Sequence, residues 1–204
     1  MTDGFTALDA AYNAAGMRGD EQQINVLEKA LEKYHAVLAD WLRGQSAANV
    51  LGAALWYAQH GLPVFPLAYP SKVPMKGTNG LLDASTDEAR VREMFHELAQ
   101  QNIAIATGHA YDVIDVDTET GHTSIIGSIA DDLAFLPEIQ GVALTPRGMH
   151  FYVPVTGRGN TTAIFEGVDY RGMGGYVVAP PSYVVEPDKG IDGPYVWLLP
   201  PVAH

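Results

Sequence analysis

The segment Tyr111-Asp112-Val113-Ile114-Asp115-Val116-Asp117 constrains this chain more than any other. Acidic and apolar residues alternate along it with the period of a strand. Successive strand side chains point to opposite faces. Asp115 and Asp117 therefore project from one side, while Ile114 and Val116 enter a core on the other. Two carboxylates two residues apart on an apolar strand repel each other unless positive charge lies between them. Mg²⁺ or Mn²⁺ is the expected compensation, because hard divalent cations take oxygen ligands. The plainer alternative is a strand end with solvated acids and a turn over residues 118–121.

A third acid, Asp169, lies in Gly167-Val168-Asp169-Tyr170-Arg171-Gly172, just ahead of a glycine-rich turn. Alone it reads as a surface turn residue. Beside a strand carrying Asp115 and Asp117 it becomes a sensible third ligand. Three carboxylates can hold two ions about 3.5–4 Å apart. One ion would lower the pKa of an attacking hydroxyl, and the other would clamp triphosphate oxygens and stabilise the leaving pyrophosphate.

Thr145-Pro146-Arg147-Gly148-Met149-His150-Phe151-Tyr152 reads as strand, turn, strand, with His150 opening the second strand. A lone histidine is more often structural. Here Gly148 would let backbone N–H groups approach a phosphate, and Arg147 supplies a forked cation. Lys72, Lys76 and Arg171 are further candidate phosphate contacts. Gly172, Gly174 and Gly175 would form either a close-approach loop or ordinary turns with positive φ. The chain lacks a GxxxxGK[ST] phosphate loop, so an ordinary ATPase is not expected. His109 and His122 are expected in loops.

Around these segments the pattern is an α+β mixture rather than a regular βαβ alternation. Ile24, Leu27, Leu31, Tyr34, Leu38 and Trp41 are spaced by three and four, which predicts one helix with a single apolar stripe and a stop at Gly44. That stripe would pack on its own domain or, alternatively, on a partner. A second helix is expected over 47–60, ending at Gly61. A strand is expected over 64–67 and a loop over 69–80. A third helix is expected over 86–101, with Ser85 and Glu88 at capping-box spacing and Val91, Met94, Phe95 and Leu98 buried. Strands are expected over 103–106, 113–117, 142–145, 150–155, 168–171, 176–179 and 195–199, with a helix over 123–135. Pro200-Pro201 reads as a domain edge. The expected division is a helical appendage over 1–45 and a catalytic domain over 46–204.

Composition narrows the function classes. The chain has no cysteine among its 204 residues, which excludes disulfides and thiolate zinc sites. No stretch approaches the roughly 20 apolar residues of a membrane span, and the start carries no signal-peptide pattern. A cytoplasmic location in a host cell is expected. Twelve Lys and Arg against 24 Asp and Glu give a formal net charge of −12. That argues against a protein that coats nucleic acid. It leaves room for an enzyme whose carboxylates bind metal and which touches its template briefly.

Taken in order, these pieces resemble the bifunctional DNA primase/polymerase (prim-pol) domain of the archaeo-eukaryotic primase superfamily, typical of phage and plasmid replication proteins. The resemblance spans roughly residues 53–198. It runs from Ala58-Gln59-His60-Gly61-Leu62-Pro63-Val64-Phe65-Pro66-Leu67 through Lys72-Val73-Pro74 and Asp83-Ala84-Ser85-Thr86-Asp87. It continues in Asn102-Ile103-Ala104-Ile105-Ala106-Thr107-Gly108, Asp115-Val116-Asp117 and His150-Phe151-Tyr152. Its most specific stretch is Gly167-Val168-Asp169-Tyr170-Arg171-Gly172-Met173-Gly174-Gly175-Tyr176, continuing to Ser182. The turn ahead of His150 is one residue shorter than the family's usual one, with Arg147 where serine is common.

The resemblance implies an RRM-like catalytic sheet with flanking helices and a second α/β lobe. It implies that Asp115, Asp117 and Asp169 bind the catalytic Mg²⁺ or Mn²⁺ and that His150 contacts the phosphates of the incoming nucleotide. Arg171 and the following glycines, Gly174 among them, would lie beside that site, with Lys72 and Arg147 as further nucleotide contacts. The implied partners are nucleoside triphosphates, a single-stranded DNA template with its primer, and a fused or associated helicase. Two other readings compete. An Asp-x-Asp strand end also occurs in haloacid-dehalogenase-like phosphatases, where it opens a doubly wound sheet. A nucleotide- or template-binding module without catalysis is the second.

Overall fold

The computed structural model describes residues 12, 13, 15, 16, 19, 21–42, 50–95, 100–117 and 138–201. They form a mixed α+β fold with few helices and three antiparallel sheets. The helices are α1 (Glu21–Leu42), α2 (Val50–Gln59) and α3 (Glu88–Met94). The strands are β1 (Val64–Ala68), β2 (Gln101–Ala106), β3 (Tyr111–Asp117), β4 (Gly141–Leu144), β5 (Gly148–Pro154), β6 (Thr161–Phe165), β7 (Val168–Arg171), β8 (Tyr176–Ala179), β9 (Tyr183–Glu186), β10 (Ile191–Pro194) and β11 (Val196–Leu199). No described helix is long and apolar enough to cross a membrane.

The larger sheet has the order β11-β4-β5-β3-β7-β6, so β3 is paired on both sides. Alternation sorts its residues as the sequence predicts. Ile114 and Val116 enter a core with Phe151, Val153, Val142 and Val168. Helix α1 closes that core through Leu27 and Ala30, both fully buried, with Ile24 and Leu31 packed at its margin. The apolar stripe is thus covered by the chain's own sheet as far as Leu31. The side chains of Tyr34, Leu38 and Trp41, and the expected stop at Gly44, lie outside the described residues, as do the expected helix over 123–135 and the loop residue His122.

The opposite face of the sheet is divided. Tyr111, Val113, Ala143 and Tyr152 pack against α2, α3 and a three-stranded sheet of order β1-β2-β8. Tyr57 on α2 ties these layers. It receives a hydrogen bond from Trp197 Nε1 (2.6 Å) and donates one to the Pro180 carbonyl. Beyond this packed half, the face carrying Asp115 borders an open cleft.

Several boundaries differ from the sequence expectation. Helix α2 starts at Val50, with residues 47–49 outside the described set, and ends where expected. Gly61 takes φ +74°, and the Leu62 N–H reaches back to Tyr57. Helix α3 is shorter than 86–101. Its N-cap is Asp87, whose side chain accepts the Arg90 N–H at 2.8 Å, and not Ser85. Ser85 is withdrawn because its backbone pairs with Val64. Residues 96–99, including Leu98, lie outside the described set, and Gln101 already belongs to β2. Strands β6, β9 and β10 were not expected. The β9–β10 hairpin is hidden behind Pro187 and Gly190, which read as loop, yet Gly190 at φ +64° is the residue that reverses the chain.

Backbone proximity fixes the open face. The Thr107 hydroxyl donates to the Gly172 carbonyl at 2.7 Å, and the Met173 N–H donates to the Arg158 carbonyl at 2.8 Å. A Cβ on Gly172 would press on the Arg158 carbonyl oxygen and lie 3.0 Å from that of Gly159. Backbone atoms cannot rotate away as a side chain tip can. Gly172→Ala should destabilise the fold by about 1–3 kcal/mol, read as a lower Tm in thermal unfolding.

Candidate active site

The register of the central strands sets the site. Asp115 lies directly opposite Asp169 on β7 and opposite His150 on β5. Directly paired residues on one face stand roughly 4.5–5.5 Å apart at Cβ. One row across three strands therefore carries Asp169, Asp115 and His150. The row is held by close polar contacts. His150 Nε2 is 3.4 Å from Asp115 Oδ1. The Arg171 guanidinium lies between the two acids, 3.5 Å from Asp115 Oδ2 and 2.5 Å from Asp169 Oδ2. Asp169 also accepts the Ala163 N–H at 2.7 Å, which ties β6 to the row.

Asp117 sits one pleat further on, opposite Gly148. The two cleft carboxylates differ in environment. Burial pushes the Asp115 carboxyl up, but the His150 ring and the Arg171 and Lys72 cations outweigh it, and its pKa falls below the ordinary range. For Asp117, burial and the neighbouring Asp115 charge prevail over Arg147, Lys72 and His150, and its pKa is raised. Asp117 is thus the carboxylate whose negative charge is least compensated by the protein.

These acids line a cleft of about 400 Å³ between the larger sheet and the β8–β10 region. Four cationic side chains, Lys72, Arg147, Arg171 and Lys189, line it with the two carboxylates. His150, Gly174 and Gly175 complete the wall that the sequence anticipates. Asp169 does not line the cleft itself but pairs with Arg171, which does. Lys76 and His109 are exposed and stay outside it. Gly175 has no room for a Cβ, which would meet the Asn160 side chain and lie 2.9 Å from Thr107 Oγ1.

Lys189, Asn160 and Tyr195 were missed by sequence reasoning. Lys189 and Asn160 sit in polar stretches that resemble surface turns. Tyr195 immediately precedes β11 and is 3% exposed, its ring 5.7 Å from that of His150. Burial, then the charges of Asp115, Asp117 and Glu186, push its hydroxyl well above the usual tyrosine range, so it stays a neutral donor. The one available signal was the apolar run Tyr183-Val184-Val185 followed by Pro187 and Gly190, a strand ending in a turn.

The donor chemistry fits a hard cation. Asp115 and Asp117 present carboxylate oxygens on one wall, and the Asp117 charge is poorly neutralised by the protein. Among the described residues no three acidic or histidine side chains are grouped as a preformed cage. Mg²⁺ typically binds through one or two carboxylates plus substrate phosphates, so such a cage is not required. His150 Nδ1 and the Tyr152 hydroxyl are buried without a hydrogen-bond partner among the described residues. β3 has antiparallel neighbours on both sides, unlike the doubly wound sheet on which the phosphatase reading relied.

No curated protein matches the chain in sequence. Residues 54–203 match the family model described as bifunctional DNA primase/polymerase, N-terminal. That match spans well over half of the 204 residues and contains every strand described above. The chain therefore belongs to the bifunctional DNA primase/polymerase family.

Proposed function

We propose that this chain is a template-dependent nucleotidyltransferase that joins nucleoside triphosphates in phage or plasmid DNA replication, both starting and extending primers. The observation that carries the reading is a cleft of about 400 Å³ lined by Asp115 and Asp117 together with four cationic side chains, Lys72, Arg147, Arg171 and Lys189. That volume lies in the range of small-molecule sites. A nucleoside triphosphate is the ligand that needs both sets of side chains, with oxygen-bound cations at the reacting phosphate and fixed positive charge along the polyphosphate.

In this reading Asp115 and Asp117 hold Mg²⁺ or Mn²⁺, and Asp169 is the third acid of the set. Bound ions would activate the attacking hydroxyl and neutralise charge on the departing pyrophosphate. The chain's own groups do the rest. Lys72, Arg147, Arg171 and His150 orient the triphosphate, and Gly174 leaves backbone room beside it. Arg171 has a double duty, because it pairs with Asp169 and Asp115 while lining the cleft. The reaction is attack of a primer 3′-hydroxyl, or of a first nucleotide's hydroxyl, on the α-phosphate. Positioning and charge stabilisation supply the acceleration.

The strand order β4-β5-β3-β7 in a wholly antiparallel sheet supports reading the core as RRM-like, with the three-stranded sheet as the second lobe. Residues 46–204 are the catalytic unit of this proposal, and α1 braces its rear face. A single-stranded template with its primer, and a fused or associated helicase, are the partners that the proposal carries.

Two outcomes test the assignment. Purified Asp115→Asn and Asp117→Asn proteins should lose at least about a hundredfold in nucleotide incorporation on a primed single-stranded template. Unchanged product ladders on a denaturing gel would refute the site. Triphosphate binding without incorporation by the wild type would instead leave a binding module. Asp117→Asn should also raise the Tm at neutral pH. The carboxyl's raised pKa means that the folded state holds its proton more tightly than the unfolded chain does. The ionised group is therefore destabilising at neutral pH. The gain should shrink as pH falls through the wild-type carboxyl's titration, and a Tm lowered at pH 7 would contradict it.

A further inference from the structure

The β9–β10 hairpin brings to the cleft a lysine that neither the sequence reading nor the family motifs singled out. Lys189 is the last residue of the short helical turn Pro187–Lys189, and it lines the cleft with Lys72. Lys72 comes from a different part of the chain, a loop anchored by the Tyr176 hydroxyl, which donates to the Lys72 carbonyl at 3.2 Å. Both ammonium groups converge on one oxygen. Glu186 Oε2 is 3.6 Å from Lys72 Nζ and 3.5 Å from Lys189 Nζ. Two cations thus share one carboxylate oxygen.

The cluster also borders the carboxylates. Lys72 and Lys189 line the same cleft as Asp115 and Asp117, and the charge of Lys72 acts on both acids. An anion with several phosphate groups could begin at the carboxylates and run along Lys72 to Lys189. The ion pairs that it would displace are partly exposed, with Lys189 62% and Lys72 37% accessible at the side chain. Such pairs are weak and exchange readily. A phosphate oxygen offers the same ammonium groups a charge-assisted bond.

We propose that Lys189 binds the distal phosphates of the nucleotide substrate, and that Glu186 is an internal competitor that occupies Lys72 and Lys189 until a polyphosphate displaces it. This inference rests on the nucleotide-binding reading of the cleft and adds the sign of two residues' contributions. A purely structural ion-pair cluster would lose from either substitution. A competing one responds in opposite directions.

The test uses inorganic tripolyphosphate as the probe, titrated calorimetrically into the full chain without and with Mg²⁺. Lys189→Ala should weaken binding about tenfold, the loss of one charged contact. Glu186→Gln should tighten it about threefold, as expected on removal of a partly exposed ion-pair partner. Thermal unfolding of both variants checks that each is folded. In incorporation assays the KM for nucleotide should move in the same two directions.

The inference is overturned if Lys189→Ala binds tripolyphosphate as the wild type does, or if a folded Glu186→Gln protein binds it more weakly. It is overturned as well if Lys189→Ala weakens binding of a single-stranded oligonucleotide and not of tripolyphosphate, since the lysine would then hold template backbone. Failure here with incorporation intact removes only the roles of Lys189 and Glu186. Tripolyphosphate binding with the proposed signs, but no incorporation, removes the polymerase reading instead.

Discussion

The site depends on β3 being hydrogen-bonded on both edges. With β5 on one side and β7 on the other, its backbone holds Asp115 half-buried in the sheet, while Asp117 at the strand end is exposed. Desolvating carboxylates is costly unless charge is returned to them. The neighbouring strands return it unequally. Asp115 receives His150 from β5 and Arg171 from β7, so it stays ionised. Asp117 lies where β5 offers Gly148, a residue with no side chain, and it is left with raised pKa. The pairing that buries Ile114 and Val116 on the rear face therefore also creates an undercompensated acid on the front.

The opposite wall is positioned by a different kind of interaction. Asn102 on β2 uses one side-chain amide to join two segments. Its Nδ2 donates to the carbonyls of Ser71 (3.0 Å) and Tyr183 (2.7 Å), and its Oδ1 accepts the Tyr183 N–H at 3.0 Å. Ser71 precedes Lys72, and Tyr183 opens the hairpin that carries Glu186 and Lys189. A buried amide with both its donors and its oxygen engaged is a rigid clamp, because losing any one of these bonds strands a polar group. The two lysines belong to separate loops, yet they are referred to the same strand. On the other side of β3, Asp112 does comparable work. Its Oδ2 accepts from the Thr156 N–H (2.8 Å) and hydroxyl (3.0 Å) and from the Tyr170 hydroxyl (2.5 Å), which fixes the start of the arm that leads to Asn160.

What was legible in the sequence follows from this difference. Alternation over 111–117 gave the central strand, its two faces and the acid pair, because period-two patterning is a local property. The glycine-rich stretch after Asp169 offered a close approach or turns with positive φ, and it holds both: a Cβ on Gly172 would press on backbone carbonyls, while Gly174 takes φ +81° in open space. The juxtaposition of Asp169 with Asp115 was offered as a third ligand by its acidic chemistry and by resemblance, not by any local pattern, because pairing between strands more than fifty residues apart leaves no local trace. Asp169 proves to be next to Asp115 in register and bridged to it by Arg171, an arrangement no spacing rule encodes. Lys189 and Glu186 were invisible for the same reason. Their meaning comes from Lys72, which is remote in sequence. Ser85 was misread as a cap because its backbone was claimed by β1, a tertiary demand that outweighs local capping preference.

The overall charge of the chain looks wrong for an enzyme that handles polyanions, and the layout of the cleft resolves the conflict. At physiological ionic strength, charges more than about 8 Å apart across solvent are largely screened. A triphosphate entering the cleft thus responds to Lys72, Arg147, Arg171 and Lys189, and much less to acids scattered over the exterior. The net charge of −12 acts on longer contacts. A surface of that sign gains little from releasing counterions along a DNA backbone, so nonspecific coating of duplex is disfavoured. In the proposed reading, nucleotide capture is then a property of the cleft, and retention of the template falls to contacts made close to it.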